Sequence, residues 1–212
     1  MAPALIVIAK APVPGRVKTR LTPPCTPVQA AALACAALQD TLDAAARTAH
    51  AGRRVIVLDG EPGAWVPAGF EVIAQRGDGL DERLAAAFED VGEAAFLVGM
   101  DTPQVTPELL DAGLAGVVDG DSAFGAALDG GYWAIGLRTP AAAVFDAVPM
   151  SSSRTGAVQR ARLSILGLRP AILPPLRDVD TIEDALAVAA EAPDTRFATE
   201  LAVIAEDLRV AA

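Results

Sequence analysis

The sequence predicts an α/β protein whose sheet is mostly parallel and carries helices on both faces. Three observations lead there. Continuous apolar runs recur at residues 5–8, 55–58 and 94–98, and a run without polar alternation marks a strand buried on both sides. Segments with apolar residues at helical spacing separate these runs, and strands alternating with helices favour parallel pairing through right-handed crossovers. Gly, Pro and Asp cluster after the runs, at 11–15, 59–63 and 99–103, where strands must stop and turn.

Each element follows from local chemistry. Leu5, Ile6, Val7 and Ile8 form the first strand, and Pro12 and Pro14 prevent its continuation. Thr26-Pro27 supplies a hydroxyl N-cap and a proline at the first helical position. An Ala-rich helix is expected from there to about residue 49, with Leu33, Leu38 and Leu42 on its apolar stripe and Gly52 as its stop. Strands are expected at 54–58 and 71–74, and an amphipathic helix at 80–91 with Leu84, Phe88 and Val91 inward. A strand at 94–98 precedes a second Thr-Pro helix start at Thr106-Pro107, running to about 118. Two strand-like runs, 122–128 and 132–137, flank Asp129-Gly130-Gly131, a sequence suited to a tight connection or to close approach of backbone and ligand. The remainder reads as a short helix at 140–145, a polar loop at 151–155, a helix at 156–166, a strand at 170–173 and helices at 182–190 and 195–208. Thr181 with Asp184 three residues on fits the acidic form of a capping box.

The chain has 212 residues, which suits one domain spanning 1–212, and 52% of them are hydrophobic, enough for a substantial core. A net charge of −10 argues against a nucleic-acid partner, whose phosphates need a basic surface. Cys25 and Cys35 match no zinc spacing and are too few for a disulfide scaffold. His50 is the one histidine, so histidine-based triads and multi-histidine metal sites are excluded by count. The first residues enter a strand with no basic leader and longer apolar run, and no stretch reaches the roughly 18 apolar residues of a membrane span. The expectation is a cytoplasmic protein without a membrane span.

Against this acidic background, Lys10, Arg16, Lys18 and Arg20 place four cations within eleven residues, directly after the first strand and around Gly15. A stiff cationic loop at the carboxyl end of a parallel strand is where an open α/β sheet holds a polyanion such as a nucleotide phosphate. The loop lacks Gly-x-Gly-x-x-Gly, so the dinucleotide fingerprint is absent. Carboxylates fall at other strand ends: Asp101 after Gly99-Met100, Asp129 before Gly130-Gly131, and Asp178 and Asp180 around Val179. Residues two apart in an extended segment face the same side, so Asp178 and Asp180 can act together, or one can bind metal while the other supports the helix start. Carboxylates converging near a cationic loop suggest Mg²⁺ or Mn²⁺ between protein and phosphate.

Four motifs then carry a family resemblance: the segment from Ala9 to Leu21, Gly99-Met-Asp-Thr-Pro103, Asp129-Gly-Gly-Tyr-Trp-Ala-Ile-Gly-Leu137, and Asp178-Val-Asp-Thr-Ile-Glu-Asp184. In this order they resemble the glycosyltransferase-like family of the nucleotide-diphospho-sugar transferase (GT-A) superfamily, with a more distant similarity to 2-phospholactate guanylyltransferase. The resemblance implies a three-layer α/β/α sandwich with a mostly parallel, mixed sheet. It implies Lys10, Gly15, Arg16, Lys18 and Arg20 at the nucleotide phosphates, and Gln75, Gly77 and Gly79 at the base. Lys18 and Asp101 are implied as catalytic residues, Asp101 also as metal ligand, with Asp180 or Asp178 as the second ligand. Asp129, Gly130, Gly131, Tyr132, Ser152 and Arg154 fall on the sugar or acceptor side. Asp101 is followed by Thr102-Pro103, so the Asp-x-Asp pair of many glycosyltransferases is missing; one Asp plus a distant second is closer to nucleotidyltransferases. The implied reaction joins a nucleoside triphosphate to a phosphorylated acceptor and releases pyrophosphate. The alternatives are sugar transfer from a nucleotide-diphospho-sugar, with Asp129 as base, and a nucleotide-binding module without catalysis.

Overall fold

The computed structural model describes residues 2–210. Seven strands form one sheet: β1 (Ala4–Lys10), β2 (Arg54–Asp59), β3 (Glu71–Ala74), β4 (Ala95–Gly99), β5 (Ser122–Ala127), β6 (Tyr132–Leu137) and β7 (Ala171–Leu176). Their spatial order is β3-β2-β1-β4-β6-β5-β7. β6 alone runs antiparallel, to β4 on one side and β5 on the other, while β7 pairs parallel with β5. Two reversals of direction across β6 therefore bring the carboxyl ends of β1, β4 and β7 and the amino end of β6 to one edge of the sheet. The sheet is mixed but mostly parallel, as expected.

Among the described residues the six α-helices are α1 (Pro27–Ala46), α2 (Leu80–Val91), α3 (Pro107–Asp119), α4 (Thr155–Ile165), α5 (Ile182–Glu191) and α6 (Arg196–Val210). Alternation along β1 and β2 divides the core in two. Leu5, Val7, Ile56 and Leu58 pack towards α1 and α3, whereas Ala4, Ile6, Val55 and Val57 pack towards α2. That is why these strands read as unbroken apolar runs: both faces are covered. A third cluster joins α1 to α5 and α6 through Leu33, Ala37, Val188, Phe197 and Leu201.

This third cluster revises the expected single stripe on α1. Leu38 and Leu42 face the sheet, but Leu33 faces α6, because α1 is sandwiched and buries two sides. Three boundaries also differ, one of them the end of β7, which runs on to Leu176 past the expected 173. α1 ends at Ala46, not near 49, and Gly52 is not its stop. Arg54 braces its end, donating from Nε to the Ala45 carbonyl and from Nη2 to that of Thr48, just past the helix. Residues 140–145 hold only a 3₁₀ turn at Ala142–Val144. The capping boxes form at both Thr26/Gln29 and Thr181/Asp184. No described helix is long and apolar enough to cross a membrane.

Candidate active site

The shared sheet edge opens into a cleft of about 530 Å³. Through Lys10, Arg20, Met100, Asp101 and Asp180 it adjoins a lobe of about 260 Å³ beneath the basic loop. Such an edge, outside the carboxyl ends of the strands, is the usual ligand position in open α/β sheets.

The basic loop is held from within. Val17 is buried in the core and anchors it, while Arg16 stays exposed. Lys18 adopts the left-handed conformation (φ 48°, ψ 41°) at the start of a 3₁₀ turn, Thr19–Leu21. A non-glycine residue there is strained by about 1–2 kcal/mol, and here the strain turns the side chain inward. Lys18 Nζ lies 2.8 Å from Asp101 Oδ1 and 3.4 Å from Asp180 Oδ1, and also donates to the Val179 carbonyl. Its side chain is only 7% exposed. Burial opposes the ammonium charge, yet Asp101, Asp180 and Asp178 outweigh it and hold the Lys18 pKa above the ordinary lysine value. Arg20 pairs with the other oxygen of Asp180 at 3.0 Å. Lys10 turns to Asp59 at 3.5 Å.

The carboxylates reach this point from separate elements. Asp101 follows β4. Val179 follows β7 and donates its N–H to the Asp101 carbonyl at 2.9 Å, which stitches the two loops together. Val179 is buried between them, so Asp178 and Asp180 both face the cleft. Burial, reinforced by the charges of Asp101, Asp129 and Asp180, pushes the Asp178 carboxyl up to about 7. Its Oδ1 has no hydrogen-bond partner. Three more buried polar atoms without partners lie in the same two loops: Thr102 Oγ1, Gln104 Oε1 and Arg177 Nε. Among the described residues no group of three or more acidic, His or Cys side chains is gathered closely enough to hold an ion by itself. The Lys18 ammonium stands between Asp101 and Asp180. The donor set still suits a hard divalent cation, since it offers only carboxylate oxygens and one of them is an orphaned, buried acceptor.

The far wall is made by the turn after β5 and the loop before α4. Asp129 Oδ1 accepts the Gly131 N–H at 2.7 Å. The Gly130 carbonyl accepts from Gly156 N at 2.8 Å. Gly130 sits at φ +93°, and a Cβ there would overlap the Ser153 carbonyl oxygen, so only glycine fits. Ser151 is again left-handed, at φ 54°. Thr155 Oγ1 donates to the Pro149 carbonyl and accepts from Ser152 N, which sets the loop's shape.

Lys10, Arg20, Gln75, Asp101, Asp129, Gly131, Tyr132, Ser152, Asp178 and Asp180 thus line the main cleft, and Arg16 and Lys18 the smaller lobe. Gly15, Gly77, Gly79, Gly130 and Arg154 line neither. Gly15 shapes the loop at φ +76°, Gly77 packs on the first turn of α2, Gly79 caps α2, and Arg154 is exposed at the start of α4. The Gln75 amide is spent inside the sheet, where it donates to the Ala9 and Val57 carbonyls. Sequence reasoning missed the apolar floor, Ile8, Leu80, Leu84, Leu97 and Met150. Leu80 and Leu84 share a helix face, but that signal is the same for core and for cleft. It also missed Thr102, 1% exposed in the cleft wall.

The fold that carries this site matches known proteins. The structure superposes with a TM-score of 0.86 on a "putative nucleotide-diphospho-sugar transferase" from Desulfovibrio desulfuricans G20, 27% identical over 98% of this chain and 97% of the other. It also resembles 2-C-methyl-D-erythritol 4-phosphate cytidylyltransferase from Thermus thermophilus (TM-score 0.56, 15% identity, 91% and 100% covered). A third similar structure is Rv0371C from Mycobacterium tuberculosis H37Rv, in complex with manganese (TM-score 0.51, 21% identity, 89% and 98% covered). These last two likenesses establish the fold. No curated protein matches in sequence. The chain belongs to the family described as "Uncharacterized protein conserved in bacteria (DUF2064)", whose model matches residues 29–152.

Proposed function

We propose that this chain, as one domain over residues 1–212, is a cytoplasmic, metal-dependent transferase that takes an activated nucleotide donor, and that its reaction is nucleotidyl transfer. The observation that carries the reading is the locus where Lys18 Nζ meets Asp101 and Asp180 at the carboxyl edge of the sheet. An ammonium and two carboxylates at one point, with Arg16 and Arg20 beside them, suit a polyphosphate and its counter-ion. In this reading Arg16, Lys18 and Arg20 hold the phosphates, and Asp101 and Asp180 hold Mg²⁺ or Mn²⁺, with the free oxygen of Asp178 available as a further ligand. The ion supplies charge neutralisation on the phosphates when bound. The protein's own groups orient the α-phosphorus towards an acceptor oxygen and stabilise the leaving pyrophosphate, so catalysis is positioning and electrostatics. The similarity to a cytidylyltransferase and to a manganese-bound protein supports donor and metal alike.

A second reading, sugar transfer from a nucleotide-diphospho-sugar, draws support from Asp129, a carboxylate on the far wall where a base would stand. A thermal-shift panel of nucleoside triphosphates and nucleotide sugars, with and without Mg²⁺ or Mn²⁺, separates the two. Binding to the native state raises the melting midpoint. A metal-dependent rise with triphosphates is expected. A rise with nucleotide sugars alone favours the second reading, and binding without turnover favours a non-catalytic module.

A further inference from the structure

The basic loop and the carboxylates are committed to each other. A lysine ammonium has three N–H donors, and that of Lys18 meets three acceptors: Asp101 Oδ1 at 2.8 Å, Asp180 Oδ1 at 3.4 Å and the Val179 carbonyl. Arg20 holds the other oxygen of Asp180 at 3.0 Å. Both oxygens of Asp180 and one of Asp101 therefore face a cation of this chain. Among these four side chains the charges balance.

Neither half of the locus can take a ligand alone without a penalty. A divalent ion held by Asp101 and Asp180 would share their oxygens with the Lys18 ammonium, and cations a few ångström apart repel strongly in a partly buried site. A phosphate held by Lys18 needs an N–H that Lys18 does not have to spare, and it would stand beside the same two carboxylates. Together the two ligands remove the conflict: the phosphates draw the cations off, and the ion replaces them at the carboxylates. There is room for this exchange, because Arg16, Lys18, Arg20, Asp101 and Asp180 all open on the lobe of about 260 Å³ beneath the loop. Arg16 and Arg20 are exposed and can meet a phosphate first. The Lys18 side chain is enclosed, so its ammonium leaves the carboxylates only for another anion, since an unpaired buried charge is costly.

Resting on the metal-dependent transferase reading above, we propose that Lys18 gates the divalent ion. It keeps the ion from Asp101 and Asp180 until a polyphosphate takes its ammonium, so the ion and the phosphates enter as one chelate. The step exchanges ion-pair partners and makes or breaks no covalent bond. Linkage is reciprocal, so on the protein each ligand strengthens the other.

The test uses the full chain, Mn²⁺ or Mg²⁺ as the ion and inorganic tripolyphosphate as the polyanion. Free Mn²⁺ is counted by electron paramagnetic resonance. Lys18→Met is expected to bind Mn²⁺ alone about tenfold or more tighter than the wild type, and adding Asp101→Asn to that variant is expected to remove the gain. The increase in Mn²⁺ affinity brought by tripolyphosphate is expected to be larger in the wild type; chelation in solution is common to both proteins and cancels. A second readout needs no substitution in the protein under study. Lys10 and Lys18 are the two lysines of the sequence, so ¹³C-lysine labelling gives one side-chain signal for each. Mg²⁺ alone is expected to leave the Lys18 signal in place, and Mg²⁺ with tripolyphosphate to move it. A Lys18→Met variant that binds Mn²⁺ no tighter than the wild type overturns the gate, as does a Lys18 signal that moves as far with Mg²⁺ alone as with both ligands, or that stays put while both are bound. In each of these cases the metal-dependent transferase reading survives. If Mn²⁺ binds neither protein, with or without tripolyphosphate, that reading itself falls and takes the gate with it.

Discussion

Replacing Lys18 with Met is the most direct probe of the charge centre. The substitution keeps most of the side-chain volume and removes the ammonium that bridges Asp101 at 2.8 Å and Asp180 at 3.4 Å. At an effective dielectric constant of about 20, the two attractions are worth about 6 and 5 kcal/mol gross. Much of that offsets the cost of burying the ammonium, several kcal/mol for a group as enclosed as Lys18. Removing one partner from a fully buried pair costs about 3–5 kcal/mol, whereas an exposed pair is worth about 0–1. Asp101 and Asp180 are 41% and 40% exposed, so water rehydrates them and the net loss falls between, at about 2 kcal/mol. For a chain of this length that lowers the melting midpoint by about 4–8 °C. Calorimetry in EDTA reads this directly. A divalent ion relieves the same repulsion, so adding Mg²⁺ should raise the Lys18→Met midpoint by more than it raises that of the wild type. A variant that melts within about 1 °C of wild type in EDTA, or that gains no more than wild type from Mg²⁺, would refute the charge-centre argument.

Other outcomes follow from the same geometry. Asp101→Asn should lower turnover by two orders of magnitude or more while circular dichroism shows an intact fold; normal turnover would end its assignment. In metal-free protein Asp178 holds its proton more tightly folded (about 7) than unfolded (3.8), so it lowers stability as pH rises between those values and its full cost is present above pH 7. Asp178→Asn should therefore stabilise the metal-free protein by at most about 4 kcal/mol at pH 8 and by almost nothing at pH 4, as denaturant melts at the two pH values will show. Gly130→Ala should cost about 3 kcal/mol or more, because the backbone must move away from Ser153. Gly15→Ala, with the same sign of φ but open space around it, should cost only about 1–2 kcal/mol; equal midpoints for the pair would contradict the described wall.

Much of the sheet was legible because burial writes itself into local pattern. β3 and α2 start and end where the sequence places them, since a Gly-spaced loop and a full amphipathic stripe both act within a few residues. The end of α1 was not legible, because it is braced by Arg54, a residue of the next strand. The acidic and basic members of the cleft were readable as residue types at strand ends. Their division of labour was not: nothing local says that Lys18 turns inward while Arg16 stays out, or that Gln75 is consumed by carbonyls of β1 and β2.

By itself, then, the sequence determined the alternation of buried strands and helices, the single cationic loop and the positions of four carboxylates, because each depends on neighbours within about one turn or one strand. The tertiary structure decided which of them meet. The antiparallel β6 brings the ends of β1, β4 and β7 to one edge, the Val179–Asp101 hydrogen bond joins loops far apart in the chain, and Lys18 then bridges Asp101 and Asp180. These are contacts between distant residues, and their energies depend on burial and separation, quantities that exist only once the chain has folded.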